Sequence, residues 1–85
     1  MSFQITIKYF ASIREAIGQA SELRATHATT LGLLRDELIA ASPVHGAALA
    51  RGKAVRIALD QVMSAESAML ADGSEVAFFP PVTGG

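Results

Sequence analysis

A single stripe of helical period lies among segments of period two, and this asymmetry restricts the fold more than any other feature of the chain. Leu31, Leu34, Leu38 and Ala41 recur at spacings of three, four and three, which lays apolar side chains along one face of a helix. Thr29 or Thr30 supplies its N-cap, and Pro43 ends it, because the residue before a proline avoids helical geometry. Ahead of the helix, Phe3, Ile5, Ile7 and Tyr9 alternate with Gln4, Thr6 and Lys8, the pattern of a half-buried strand. A short helix follows, with Ser12 as N-cap, Ile13, Ala16 and Ile17 on one face, and Gly18 at the stop. Glu22 to Thr26 alternates again, with Leu23 and Ala25 on one side, as an edge strand would.

Beyond the helix, Val44 to Lys53 reads as a connector with room for a helical turn through Ala47-Ala48-Leu49. Val55, Ile57 and Leu59 form a third strand, and Asp60-Gln61 turns it into a short fourth one, Val62-Met63. Ser64 to Ala71 is irregular, with Met69 or Leu70 plugging the core. Asp72-Gly73 is a turn, and Glu75 to Phe79 is the last strand. Strands around one main helix make an α+β domain, with the helix packed on one face of a mixed sheet of about five strands. The first and last strands pair at its centre. This is the pattern of the β-grasp, or ubiquitin-like, architecture. Residues 1–85 read as one domain, with 80–85 as a flexible C-terminal tail.

Composition narrows the function. Apolar residues make up 51% of the chain and charged ones 18%, more apolar material than so small a core can hide. The surplus points to an apolar surface cluster, the mark of a partner site. The net charge is −1 and the basic residues are scattered, so no nucleic-acid-binding face is expected. No apolar run approaches the ~20 residues that span a bilayer, and no secretion signal opens the chain, so no membrane association and a cytoplasmic location are expected. Cysteine is absent, which excludes disulfide scaffolds and thiol catalysis. His27 and His45 have no second ligand at metal-site spacing, so no metal is expected.

The chain ends Pro80-Pro81-Val82-Thr83-Gly84-Gly85. The prolines close the last strand and hold the exit extended. Two glycines then give an end that can thread a channel any Cβ would block. The terminal carboxylate is a poor electrophile until it is activated, typically as an acyl-adenylate made from ATP. A sulfur nucleophile can then displace AMP and leave a C-terminal thiocarboxylate, chemistry that needs no cysteine in this chain. Phe78 and Phe79 face opposite sides of the sheet. One of them is left as an exposed docking anchor beside the tail, unless loops cover both rings.

The segment Asp72-Gly73-Ser74-Glu75-Val76-Ala77-Phe78-Phe79-Pro80-Pro81-Val82-Thr83-Gly84-Gly85 resembles the C-terminal signature of the small subunits of molybdopterin synthase, also called molybdopterin-converting factor small subunits. Tyr9-Phe10-Ala11-Ser12-Ile13-Arg14-Glu15-Ala16-Ile17-Gly18 is similar to that family's segment after its first strand. The resemblance implies that an ATP-dependent adenylating enzyme, itself related to ubiquitin-activating enzymes, activates the Gly85 carboxylate and that sulfur is installed there. The tail then delivers sulfur to cyclic pyranopterin monophosphate inside the large synthase subunit, in a heterotetramer with two copies of each. No cofactor is held permanently, and ATP is consumed by the adenylating partner.

On the same resemblance, Gly85 carries the adenylate and then the thiocarboxylate, and Gly84 gives clearance. Phe79, Pro80, Pro81, Val82 and Thr83 line the insertion into either partner. Arg14 matches a basic family position, which implies a polar contact to a partner; a solvated arginine on a short helix is the equal alternative. Family members often have asparagine where this chain has Asp60, which touches only turn detail. Two rivals share the Gly-Gly end: a thiamine-type sulfur carrier, which lacks the Phe-Phe-Pro-Pro-Val-Thr run, and a ubiquitin-like modifier joined to lysines. A third is an interaction module with an inert tail.

Overall fold

A computed structural model describes residues 2–81; Met1 and residues 82–85, among them Val82, Thr83, Gly84 and Gly85, lie outside the described residues. The chain runs β1 (Phe3–Tyr9), α1 (Ala11–Ile17), β2 (Ser21–Thr26), α2 (Leu31–Ala41), α3 (Pro43–Ala48), β3 (Arg56–Leu59), β4 (Val62–Met63) and β5 (Glu75–Phe79). The five strands form one mixed sheet in the order β2-β1-β5-β3-β4. The first and last strands pair in parallel, Thr6 opposite Glu75 and Tyr9 opposite Phe78. The other three pairings are antiparallel. This is the expected β-grasp, and β2 lies at an edge as expected.

The core forms where the sheet meets α2. Ile5, Ile7 and Tyr9 of β1, Val76 and Phe78 of β5, and Ile57 of β3 pack with Leu31, Leu34 and Leu38. Thr30 caps α2 by accepting from the Leu33 N–H at 3.2 Å. Leu70, not Met69, is the plug: Leu70 is buried, while Met69 is exposed. Ala41 also falls outside the core.

Two expectations are corrected. Ser12 is not the N-cap of α1. The helix begins at Ala11 with Phe10 in the cap position and no side-chain cap bond, and the Phe10 carbonyl accepts the Ile13 N–H at 3.1 Å. Pro43 ends α2 but also opens α3, because a proline at a first helical position costs no hydrogen bond. The helical stretch therefore starts four residues before Ala47, and Ser42 caps it by accepting from the His45 N–H at 3.0 Å.

β2 does carry Leu23 and Ala25 on one side, and that side is the exposed one. Its inward residues are the polar ones, Glu22, Arg24 and Thr26, and Leu23 points outward with 79% of its surface exposed. Charge pairing makes that inversion stable. Glu37 of α2 accepts from Arg24 Nε and from Thr26 Oγ1, both at 2.6 Å, and Glu22 meets His45 Nε2 at 3.3 Å. Burial works to raise the Glu37 carboxyl, but the hydrogen bonds from Thr26 and Arg24 outweigh it and hold the group below the usual carboxylate range. The Tyr9 phenol beside this cluster is pushed above its ordinary range by burial and then by the Glu22 charge, which lies near without completing a hydrogen bond.

Candidate functional site

The site is built at the C-terminal end of β5, the middle strand of the sheet. A middle strand has both edges paired, so its exit direction is fixed. Here the Phe10 N–H donates to the Phe78 carbonyl at 3.2 Å, and Phe79 lies opposite Arg56 of β3. Pro80 and Pro81 then leave the sheet, unable to donate to a further ladder bond.

Adjacent aromatic residues end both β1 and β5, and because those strands are parallel the two pairs meet. Alternation sends Tyr9 and Phe78 inward and Phe10 and Phe79 outward. The inner rings stack at 6.1 Å and 17°, and the outer rings at 4.6 Å and 8°. Phe78 is therefore core, while Phe79 stays partly open to solvent at the root of the tail. Loops do not cover both rings, and Phe79 is left half-buried rather than fully exposed.

Two hollows flank the Pro80-Pro81 exit. The larger, about 490 Å³ and open, lies on the outer face between Phe10, Phe79, Met63, Ala11 and Arg56. The smaller, about 150 Å³, lies on the other flank between α1, Ala48, Lys53 and Val55. Both prolines line both hollows, so the tail root is a ridge between two clefts. Ala11 sits at the rim of the larger one with a φ of 50°, a left-handed conformation that costs a residue with a Cβ about 1–2 kcal/mol.

The residues singled out in sequence separate into three groups. Phe79, Pro80 and Pro81 come together here. Arg14 is exposed on α1 and lines neither hollow. Val82, Thr83, Gly84 and Gly85 lie outside the described residues. The sequence reading missed Phe10, Met63, Arg56, Lys53 and Val55. Phe10 carried a usable signal, because Tyr9-Phe10 repeats the Phe78-Phe79 pattern at the end of a strand expected to pair with it.

A buried arginine shapes the smaller hollow. Arg35 of α2 is only 4% exposed and donates to the carbonyls of Leu49, Ala50 and Lys53 at 2.7–3.0 Å. Its remaining arm meets Glu66 at 2.9 Å, and Arg51 also holds Glu66 while reaching Asp36. The hydrogen bond from Arg51 comes first in holding the Glu66 carboxyl below its ordinary range, against the opposing effect of burial. The segment from Leu49 to Lys53 is thus tied to α2. Among the described residues no group of three or more His, Cys, Asp or Glu side chains could hold a metal ion, and no helix is long and apolar enough to cross a membrane.

Known proteins share this fold. The ThiS family matches over residues 7–85. The molybdopterin synthase sulfur carrier subunit of Escherichia coli is 40% identical over 81 residues, 95% of this chain and 99% of that one. SAMP1 from Haloferax volcanii has a TM-score of 0.77 at 25% identity, covering 96% of this chain and 99% of that one. A chain in the complex of subunits 1 and 2 of molybdopterin-converting factor from Helicobacter pylori has a TM-score of 0.62 at 25% identity, covering 98% of this chain and 100% of that one.

Proposed function

The chain belongs to the ThiS family and, within it, to the kin of molybdopterin synthase sulfur carrier subunits, and on that premise we propose that it is the sulfur-donating small subunit of a molybdopterin synthase. An ATP-dependent adenylating enzyme converts the Gly85 carboxylate to an acyl-adenylate. A sulfur nucleophile displaces AMP and leaves a thiocarboxylate. The tail then enters the large subunit and gives its sulfur to cyclic pyranopterin monophosphate. The reading puts this work in the cytoplasm, in a heterotetramer of two small and two large subunits.

The observation that carries the reading is the apolar collar around the tail root. Phe79 and Phe10 present a stacked, partly open pair beside a ridge of two prolines, and four residues later the chain ends in Gly-Gly. A docked collar would hold the small subunit by its sheet while the side-chain-free end reaches a distant centre. The partnership of the Helicobacter pylori subunits supports a large-subunit partner for this chain as well.

The test adds one residue after Gly85 and measures molybdopterin formation with the large subunit. Activity is expected to vanish, because the added residue displaces the reactive carbonyl; full activity would overturn the tail chemistry. The likeness to SAMP1 favours one second reading, a protein modifier. Intact mass after incubation with the adenylating partner, ATP and a sulfur donor separates the two. Exchange of one oxygen for sulfur supports the carrier, and lysine-linked adducts on other proteins support the modifier.

A further inference from the structure

Charge is spread unevenly along the sheet. Of the seven basic residues, four are engaged: Lys8 by Glu75, Arg24 by Glu22 and Glu37, Arg35 by Glu66, and Arg51 by Asp36 and Glu66. Arg14, Lys53 and Arg56 make no side-chain hydrogen bond or ion pair among the described residues. Three acidic residues also stand outside those pairs. Asp60 and Asp72 lie at the end of the sheet where β1 and β5 begin, Asp60 accepting the Glu75 N–H at 2.9 Å and Asp72 the Gln4 N–H at 2.7 Å. Glu15 follows Arg14 on α1 and offsets its charge. Lys53 and Arg56 are left without an anion, and both stand at the tail-root end.

Their places are complementary. Arg56 lies opposite Phe79 in the β3–β5 register and lines the larger hollow with Phe10, Met63 and the two prolines. Lys53 lines the smaller hollow with the same prolines. Its backbone is anchored: the N–H donates to the Ala50 carbonyl at 2.9 Å, and the carbonyl accepts from buried Arg35 at 3.0 Å. One cation therefore stands on each flank of the Pro80-Pro81 ridge. They line separate clefts, so they do not close on a single phosphate; they match two anions set on either side of an opening. A partner that covers the hollows strips water from both cations, which is strongly unfavourable unless anions meet them. The guanidinium offers a fork of donors that fits a carboxylate, and the ammonium a compact point charge.

Resting on the reading that this end of the chain docks on a large synthase subunit, we propose that the docking surface of that subunit carries two acidic side chains, one on each side of its opening, and that Arg56 and Lys53 pair with them. The stacked Phe10 and Phe79 rings supply apolar contact, which is non-directional. Two cations on opposite flanks add direction, because they fix the rotation of the small subunit about the ridge. They also draw an acidic surface to the correct end of a chain whose net charge is −1. A partner with a neutral or basic opening would leave both cations covered and unpaired, so the same two residues select against it.

The test uses the full chain as wild type, R56M, R56K, R56E, K53M and K8M, with affinity for the purified large subunit measured at low and high salt. Urea midpoints separate folding from binding. At low salt R56M should bind about tenfold more weakly, R56E about a hundredfold and K53M about threefold. R56K should recover part of the loss, since an ammonium keeps the charge without the fork. K8M removes the same charge from a residue that already has Glu75, and should stay within about twofold of wild type. Wild-type affinity should fall as salt rises, and that of the K53M R56M double variant much less. R56M and K53M binding as wild type does, a loss in K8M as large as in R56M, or wild-type binding indifferent to salt would overturn the proposal while leaving the docking reading standing. Dependence on these two residues for the adenylating enzyme alone would overturn it too. A wild-type chain that does not bind the large subunit at all would remove the carrier reading and this inference with it.

Discussion

Phe78 and Phe79 are neighbours on one strand and serve opposite sides of one sheet. Phe78 is wholly buried against Tyr9, beneath α2, in a layer of aliphatic side chains from three strands. Phe79 stacks on Phe10 more closely still but keeps part of its surface in water, beside a hollow that runs to the tail root. Apolar area removed from water is worth roughly 25 cal/mol per Å², so the inner ring stabilises the monomer and the outer ring keeps part of that gain in reserve. A chain with 51% apolar residues and a core this thin must leave some outside. It leaves a concentration of them where a partner would cover them.

The largest expected effect comes from breaking the inner side. Phe78→Ala should cost about 3–5 kcal/mol, a large share of the total stability of a domain this size. The shift in urea midpoint at unchanged m-value measures it, and a loss below about 1 kcal/mol would mean that the inner layer is not the core. Phe79→Ala, on the outer side, should cost at most about 1–2 kcal/mol of stability, the worth of one aromatic stack and partial burial. Its affinity for the large subunit should fall at least tenfold, or about 1.4 kcal/mol. Calorimetric titration against that subunit gives the second number. Equal stability losses in the two variants, with affinity intact, would erase the contrast between the faces.

The legible parts of the fold are those where one physical rule acts alone. β1, β5 and the Leu31, Leu34 and Leu38 positions of α2 follow from periodicity because those inward side chains are apolar. The Asp60-Gln61 turn was equally plain, and both residues do take positive φ, at 49° and 70°. Where two rules compete, the sequence misleads. On β2 hydropathy favours Leu23 inward, yet Glu22 and Arg24 go in because Glu37 on α2 and the His45 ring on α3 offer them polar partners. Arg35 reads as a surface residue by type, and its burial depends on three backbone carbonyls that only the folded Leu49–Lys53 segment supplies. The site was legible along the strand, at Phe79, Pro80 and Pro81. Across strands it was hidden, because Met63, Arg56 and Lys53 arrive by topology and carry no local motif.

The smallest expected effect sharpens the comparison most. Leu23 shares the outer face with Phe79 and is more exposed, so exposure alone would make it the better anchor. It lies two strands away, since Leu23 pairs with Thr6 and Thr6 with Glu75, and Glu75 is four residues before Phe79. That is about 10 Å across the sheet and about 13 Å along it. No hollow at the tail root reaches it. Leu23→Thr places a β-branched residue in a strand and removes only solvated apolar surface, so stability should change by about 0.5 kcal/mol or less. Affinity for the large subunit should stay within about twofold. A tenfold loss would extend the docking face across the whole outer sheet, and a stability loss near that of Phe78→Ala would make the outer side of β2 a second core. If neither occurs, partner recognition is tied to the tail root, and an exposed leucine at a sheet edge is simply surface that a small domain could not hide.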